Sequence, residues 1–288
     1  MHNFVYREPE TLEEVLALLS ELGEDAKIIA GGTALIIMLK QRLLMPSHII
    51  SLRKLQDADG IDFSEETFQL GTLTTHRAIE TSPLVREQIP VLSETYAQVA
   101  TLRVRNMATV GGSLAHADPN QDPPVTLMAL DARVRLASID GSREVPLDQF
   151  FTDYYETVMR PDEVVTRVLI PVPVLQGGAY VKFLPRTSED YATVGVAATV
   201  SIDPKSGECQ DCRIVLGGVG PIPLRDQGGE ALLKGQKLTT ELLREVGDSA
   251  ERLTDPVSDS RGSAEYKRAM AAIFVSRAVS QAWERALS

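Results

Sequence analysis

Apolar and polar positions along this chain fall into short blocks whose period switches between helix and strand. Thr11-Leu12-Glu13-Glu14 is a capping box, and apolar residues at Leu12, Val15, Leu16 and Leu19 keep helical spacing until Gly23 stops the helix. Lys27 to Ala30 reads as a strand, Ala34 to Leu43 as a helix and Ser47 to Leu52 as a strand, together a small βαβ-like unit. Thr67 to Leu73 reads as a strand, Thr75 to Glu80 as a helix, and Val91 to Ala100 as an amphipathic helix. Asp122 to Leu130 is expected to be helical, and Ala132 to Ala137 and Glu163 to Ile170 to be strands. Pro171-Val172-Pro173 followed by Gly177-Gly178 is the strongest domain boundary in the chain. Beyond it lie three strand-like runs, Ala179 to Leu184, Thr193 to Ile202 and Cys212 to Val219. Helical stretches follow, over about Gly228 to Lys234, Thr240 to Arg252 and Ser263 to Ala286. Strands first and helices after predict an antiparallel sheet with helices on one face. No internal repeat or low-complexity tract is visible.

Composition narrows the function classes. With 288 residues, 43 % hydrophobic and 24 % charged, the chain is long enough for two or three compact units of ordinary globular make-up. The longest strongly apolar run, Ala34 to Leu39, is far short of a bilayer span, and the N-terminus lacks the basic start and apolar centre of a secretory signal. A cytoplasmic location with no membrane span is the expectation. The net charge of −11 argues against nucleic acid, which needs clustered Lys and Arg.

Two glycine pairs carry the candidate chemistry. One sits in Ile28-Ile29-Ala30-Gly31-Gly32-Thr33-Ala34-Leu35, the other in Ala108-Thr109-Val110-Gly111-Gly112-Ser113-Leu114. Each follows an apolar, strand-like run and precedes a hydroxyl residue. Glycine permits positive φ and close approach to backbone N–H groups, so each pair is a candidate anion nest. Two nests facing each other would clamp a diphosphate. A tight turn with no ligand is the plainer reading of either pair alone. Neither pair belongs to a G-x-G-x-x-G fingerprint, and no P-loop occurs.

Other motifs say less. Cys209 and Cys212 form the only C-x-x-C, too few soft ligands for zinc or an iron–sulfur cluster, and read as strand residues after the turn Asp203 to Gly207. His116 and Asp118 resemble metal ligands, but His2, His48 and His76 are scattered. Asp122 is expected to cap a helix and accept from a ligand hydroxyl. Ser113 lacks a G-x-S-x-G frame, and no carboxylate pair stands out as an acid/base dyad.

The first glycine run, together with Leu102-Arg103-Val104-Arg105-Asn106-Met107-Ala108-Thr109-Val110-Gly111-Gly112-Ser113-Leu114-Ala115-His116-Ala117-Asp118-Pro119, resembles the FAD-binding medium subunit of molybdenum hydroxylases. That family includes carbon monoxide dehydrogenase and xanthine dehydrogenase. Tyr180 to Phe183, Glu189 to Val194 and Leu216 to Pro221 resemble its C-terminal domain. The resemblance implies an α+β fold: a two-part FAD-binding cradle of the vanillyl-alcohol-oxidase (PCMH) type, then an antiparallel sheet with helices on one face. It implies an N-terminal FAD-binding subdomain over 1–55, a second over 56–175 and a C-terminal α+β domain over 176–288.

By position, the resemblance puts Lys27, Ile28, Ile29, Ala30, Gly31, Gly32, Thr33 and Ala34, with Ala108, Thr109, Val110, Gly111 and Gly112, around the diphosphate of FAD. Ser113 and Asp122 would meet ribityl or ribose hydroxyls, Val165 would touch the cofactor through its backbone, and Lys182 would lie near the flavin. The implied partners are a large molybdenum-cofactor subunit, where substrate is hydroxylated, and a small [2Fe–2S] subunit. The implied function passes electrons from iron–sulfur clusters through FAD to an external acceptor. A stand-alone flavin oxidoreductase of the same cradle, or a non-redox nucleotide-binding protein, are the other readings. Relatives often carry His-Ser or Thr-Asp after the first glycine pair; this chain has Thr33-Ala34, so the motif does not assign a substrate.

Overall fold

The computed structural model describes residues 3–64, 66–172, 176–185, 187 and 189–288. Its first unit holds β1 (Val5–Arg7), α1 (Leu12–Leu22), β2 (Ala26–Ile29), α2 (Leu35–Gln41) and β3 (His48–Ser51). The three strands are parallel, in the order β1-β3-β2. Half of the capping box forms: the Glu14 amide donates to Thr11 Oγ1 at 3.2 Å, and the Glu14 carboxylate accepts from the Glu10 amide instead of from Thr11. Val15 and Leu19 pack under the sheet with Ile50 and Leu52, each such side chain contributing about 1.5–3 kcal/mol when fully buried. Edge strand β1 was not legible, because it has only three residues and all of them are exposed.

The second unit runs β4 (Ile61–Ser64), β5 (Thr67–Gly71), α3 (His76–Thr81), α4 (Pro83–Gln88), α5 (Pro90–Ala97), α6 (Leu102–Arg105), α7 (Val110–His116), α8 (Asp122–Ala129), β6 (Arg133–Ser138), β7 (Gly141–Pro146), β8 (Phe151–Asp153), β9 (Glu156–Thr157) and β10 (Val164–Pro171). An antiparallel sheet orders β4-β5-β10-β6-β7. Helix α5 is not a surface amphipathic helix. Val91, Leu92, Ser93, Thr95 and Tyr96 are all buried, because α3, α4, α8 and β11 (Gly177–Phe183) surround it. Its Thr95 hydroxyl pairs with that of Thr126 at 2.8 Å, which satisfies both inside the core.

The third unit continues from β11 through β12 (Val194–Ile202), β13 (Cys209–Gly217), β14 (Leu224–Arg225), α9 (Gln227–Leu233), α10 (Thr240–Leu253) and α11 (Ala264–Leu287). Its sheet is antiparallel in sequence order, and α11 lies across β11 and β12. Gly177 and Gly178 belong to strand β11 and do not form a linker. A Cβ on Gly177 would sit 1.9 Å from the Ala282 carbonyl oxygen, so glycine here lets the long helix press on the sheet. Pro173, the second proline of the expected boundary, lies outside the described residues. Cys209 and Cys212 are buried, free strand residues. Among the described residues, no helix is long and apolar enough to cross a membrane.

Candidate functional site

A cleft of about 1010 Å³ opens between the first two units, with Lys182 of β11 and Glu189, Asp190 and Tyr191 also in its lining. Its wall includes Lys27, Ile28, Ile29, Ala30, Gly31, Gly32, Thr33 and Ala34, then Ala108, Thr109, Gly111, Gly112 and Ser113, and also Asp122, Val165 and Lys182. Val110 alone of the residues singled out in the sequence does not line it. Its side chain is fully buried in the central core, and its amide donates to the Thr74 carbonyl.

The two glycine pairs abut, yet they are built differently. Gly31 and Gly32 form an open bend between β2 and α2. Gly32 has φ +71°, and among the described residues the amides of Gly31, Gly32, Thr33 and Ala34 donate to no protein acceptor. Gly31 is glycine for another reason: a Cβ there would lie 1.8 Å from the Met107 carbonyl oxygen, where the second bend begins. The expectation of a matching open nest at Gly111-Gly112 is corrected. These residues form the first turn of α7, capped by Thr109. The Gly111 amide donates to the Thr72 carbonyl (3.0 Å) and the Gly112 amide to Thr109 Oγ1 (3.2 Å). The glycines permit contact: a Cβ on Gly111 would fall 1.9 Å from Thr72 Oγ1, and one on Gly112 would be 3.7 Å from the Ala30 side chain.

Asp122 also departs from its expected capping role. Gln121 is the N-cap of α8, without a side-chain cap bond. The Asp122 carboxylate instead accepts from the Tyr180 hydroxyl at 2.5 Å and from Lys182 Nζ at 2.8 Å. Burial pushes the Asp122 carboxyl up, while the Lys182 ammonium and the Tyr180 hydroxyl pull it down. Lys182 Nζ donates additionally to the Gln98 carbonyl at 3.0 Å. The two carbonyls that follow, of Val99 and Ala100, accept from Arg105 Nη1, whose Nε is paired with Glu80. Ala100 holds φ +40°, an unfavourable backbone for a residue with a Cβ, and Arg105 braces it against the cleft. Val165 adjoins a register shift in β10 between Val165 and Arg167, a bulge that turns the backbone at the cleft wall.

Several cleft residues carry no sequence signal. His76 lies edge-on to Tyr96 at 4.9 Å, and burial lowers its pKa to about 4, so it is neutral at pH 7. Gln121 Oε1 is buried without a partner among the described residues. At the rim, the Tyr155 and Tyr191 hydroxyls are held protonated by burial and by the nearby Asp118 carboxylate. Arg261 stacks over Tyr191 at 5.4 Å and donates to Asp190. The His116 ring leans on Tyr155 at 5.3 Å.

Residues 2–173 match the family described as the FAD binding domain in molybdopterin dehydrogenase, and residues 179–282 match the CO dehydrogenase flavoprotein C-terminal domain. The chain belongs to the FAD-binding medium subunits of the molybdenum hydroxylases. This medium subunit is 36 % identical to the carbon monoxide dehydrogenase medium chain of Hydrogenophaga pseudoflava over 98 % of each chain. It is 34 % identical to the glyceraldehyde dehydrogenase medium chain of Sulfolobus acidocaldarius over 96 % of each. The solved carbon monoxide dehydrogenase from Hydrogenophaga pseudoflava superposes with a TM-score of 0.95 at 37 % identity over 98 % of each chain. Quinoline 2-oxidoreductase from Pseudomonas putida 86 superposes with 0.93 at 33 % identity over 99 % of each. The expected α+β fold and the family resemblance both hold.

The cofactor of this family is FAD. The cleft fits it on this chain's own terms. Its volume is at the upper end of small-molecule sites. The free amides at the Gly31-Gly32 bend suit a diphosphate, and the Gln121 side chain is an unused polar group in the same wall.

Proposed function

We propose that this chain is the electron-relay subunit of a three-part molybdenum hydroxylase, joined by a large molybdenum-cofactor chain and a small [2Fe–2S] chain, in the cytoplasm. FAD, when bound, supplies the ability to take electrons singly and release them in pairs, and the protein supplies grip, orientation and electrostatics. Lys27 to Ala34 hold the diphosphate, chiefly through the amides after Ala30. Ala108, Thr109, Gly111 and Gly112 form the opposite wall, close enough to pack against the same group. Val110 supports that wall from the core. Ser113 and Asp122 face ribityl or ribose hydroxyls, Val165 offers its backbone, and Lys182 stands by the flavin.

The observation that carries this reading is the row of undonated amides at the first bend, packed directly against the second glycine pair. Among the described residues the cleft holds no acid/base dyad, which fits a relay in which substrate chemistry happens elsewhere. Co-expression with the partner chains tests it. The expected product is a complex holding one FAD per medium chain, with flavin absorbance bleached on adding the substrate of the large chain. A complex that assembles without flavin sinks the cofactor assignment. Turnover of an organic substrate by this chain alone would favour a self-contained flavin oxidoreductase.

A further inference from the structure

The cleft contains a buried polar chain that only partly consists of residues expected to meet the cofactor. Its outer member is Tyr180, which does not line the cleft and whose hydroxyl donates to Asp122 Oδ1 at 2.5 Å. The other carboxylate oxygen takes Lys182 Nζ at 2.8 Å, and the Lys182 side chain is only 1 % exposed. An ammonium has three N–H donors. Two of them are engaged, by Asp122 and the Gln98 carbonyl, and the third has no partner among the described residues. Because Lys182 lines the cleft, that donor is available to whatever occupies it.

Tyr180 and Lys182 are two residues apart on β11 and so project from the same face, toward α8. The strand beside them makes room for the hydroxyl. Gly195 on β12 pairs with Lys182, and a Cβ on it would come within 2.6 Å of the Tyr180 oxygen. Burial and the neighbouring carboxylate hold the Tyr180 phenol far above its usual pKa, so its proton stays on and it acts only as a donor to Asp122.

We propose that Tyr180 is a positioning residue for the flavin: its hydroxyl fixes the Asp122 carboxylate, which holds the Lys182 ammonium with one N–H free for the cofactor. Tyr180 also neutralises part of the Asp122 charge, so the ammonium keeps more of its field in the cleft. This rests on the FAD reading given above. Without the hydroxyl, the carboxylate draws harder on Lys182 and the site becomes more negative. Reduced flavin, carrying more electron density, then binds less well relative to oxidised flavin.

Visible redox titration of the FAD-loaded complex tests this. Tyr180→Phe is expected to lower the affinity for reduced relative to oxidised FAD about tenfold, a midpoint about 30 mV more negative at 29.6 mV per tenfold for a two-electron couple. In a Lys182→Met background the same substitution is expected to add less than about threefold, because the relay then has no end. Gly195→Ala displaces the hydroxyl without removing it, and should shift the potential in the same direction even if Tyr180→Phe does not fold. An unchanged potential in both Tyr180→Phe and Gly195→Ala, or a full additive shift without Lys182, overturns the assignment. A purely structural tyrosine would lower the melting temperature and leave the potential alone. Failure of the unaltered complex to hold FAD would overturn the cofactor reading instead, so the two failures are separable.

Discussion

The two glycine pairs have the same dipeptide and each a hydroxyl neighbour, Thr33 or Ser113, and they serve different physical ends. At Gly31-Gly32 the chain needs an unusual backbone, with φ +71° at Gly32, and leaves amides without acceptors among the described residues. At Gly111-Gly112 the backbone is ordinary helix and its amides are occupied; what matters is the missing Cβ against Thr72 and Ala30. One pair offers donors and the other offers proximity. A diphosphate clamp drawn as two equal nests is therefore replaced by one donor-bearing bend held against a flat, close-packed wall.

Substitutions can separate these roles. The largest effect is expected where a Cβ meets backbone or a fixed hydroxyl. Gly31→Ala, 1.8 Å from the Met107 oxygen, should force the two bends apart and weaken FAD binding by about a hundredfold or more, read by flavin content after dialysis. Gly111→Ala, 1.9 Å from Thr72 Oγ1, should act on folding first, lowering soluble yield and melting temperature together. If Gly111→Ala kept full stability, the close-contact account of the second pair would be broken.

Acid should act on the second wall. The His76 amide donates to the Ala108 carbonyl at 2.9 Å, which ties His76 to that wall. An unfolded histidine binds its proton near pH 6.5, but burial holds His76 at about 4. The unfolded state thus binds more protons between those values, and stability falls as pH drops through that window, by up to about 3 kcal/mol in all. Denaturant titrations at pH 7 and pH 5 should show this slope, reduced by close to one proton in His76→Phe. An identical slope in the variant would remove His76 from the account.

The smallest effects make the sharpest comparison. Gly32→Ala must hold a side chain at φ +71°, a strain of roughly 1–2 kcal/mol, with FAD affinity down about tenfold. Gly112→Ala gains about 1 kcal/mol of helix propensity and loses a similar amount as its Cβ crowds the Thr109 cap at 2.9 Å. Its stability should stay within about 1 kcal/mol of the parent by differential scanning fluorimetry. Equal damage from both would restore the symmetric picture.

Much of this was legible in the residues, for reasons that can be traced. Helices α10 and α11 fall within one residue of the stretches expected, Thr240 to Arg252 and Ser263 to Ala286. The family motif drew together sixteen residues that line one cleft. The start of α7 reads as a strand-like run into a nest or tight turn, because two glycines in seven residues argue against helix; the fold makes it a helix capped by Thr109 and packed on Thr72. The buried pairing of Asp122 with Tyr180 and Lys182 joins residues about sixty positions apart, beyond any local pattern. A capping rule applied to Asp122 gave the right helix start, within one residue, and the wrong job for the carboxylate. Strands β8 and β9 have three residues and two, too short for periodicity to register.

The last helix reaches back across the molecule: Arg285 donates to Glu94 and to the Gly178 carbonyl, clasping the element that carries Gln98. The cleft rim is likewise drawn from segments as far apart as Lys27 and Tyr191. Both glycine motifs precede in the chain the residues of β11 and beyond that complete the cleft, and the helix that fastens them comes later still. A chain cut before β11 would therefore keep both glycine motifs and lose the lysine that lines the cleft beside them.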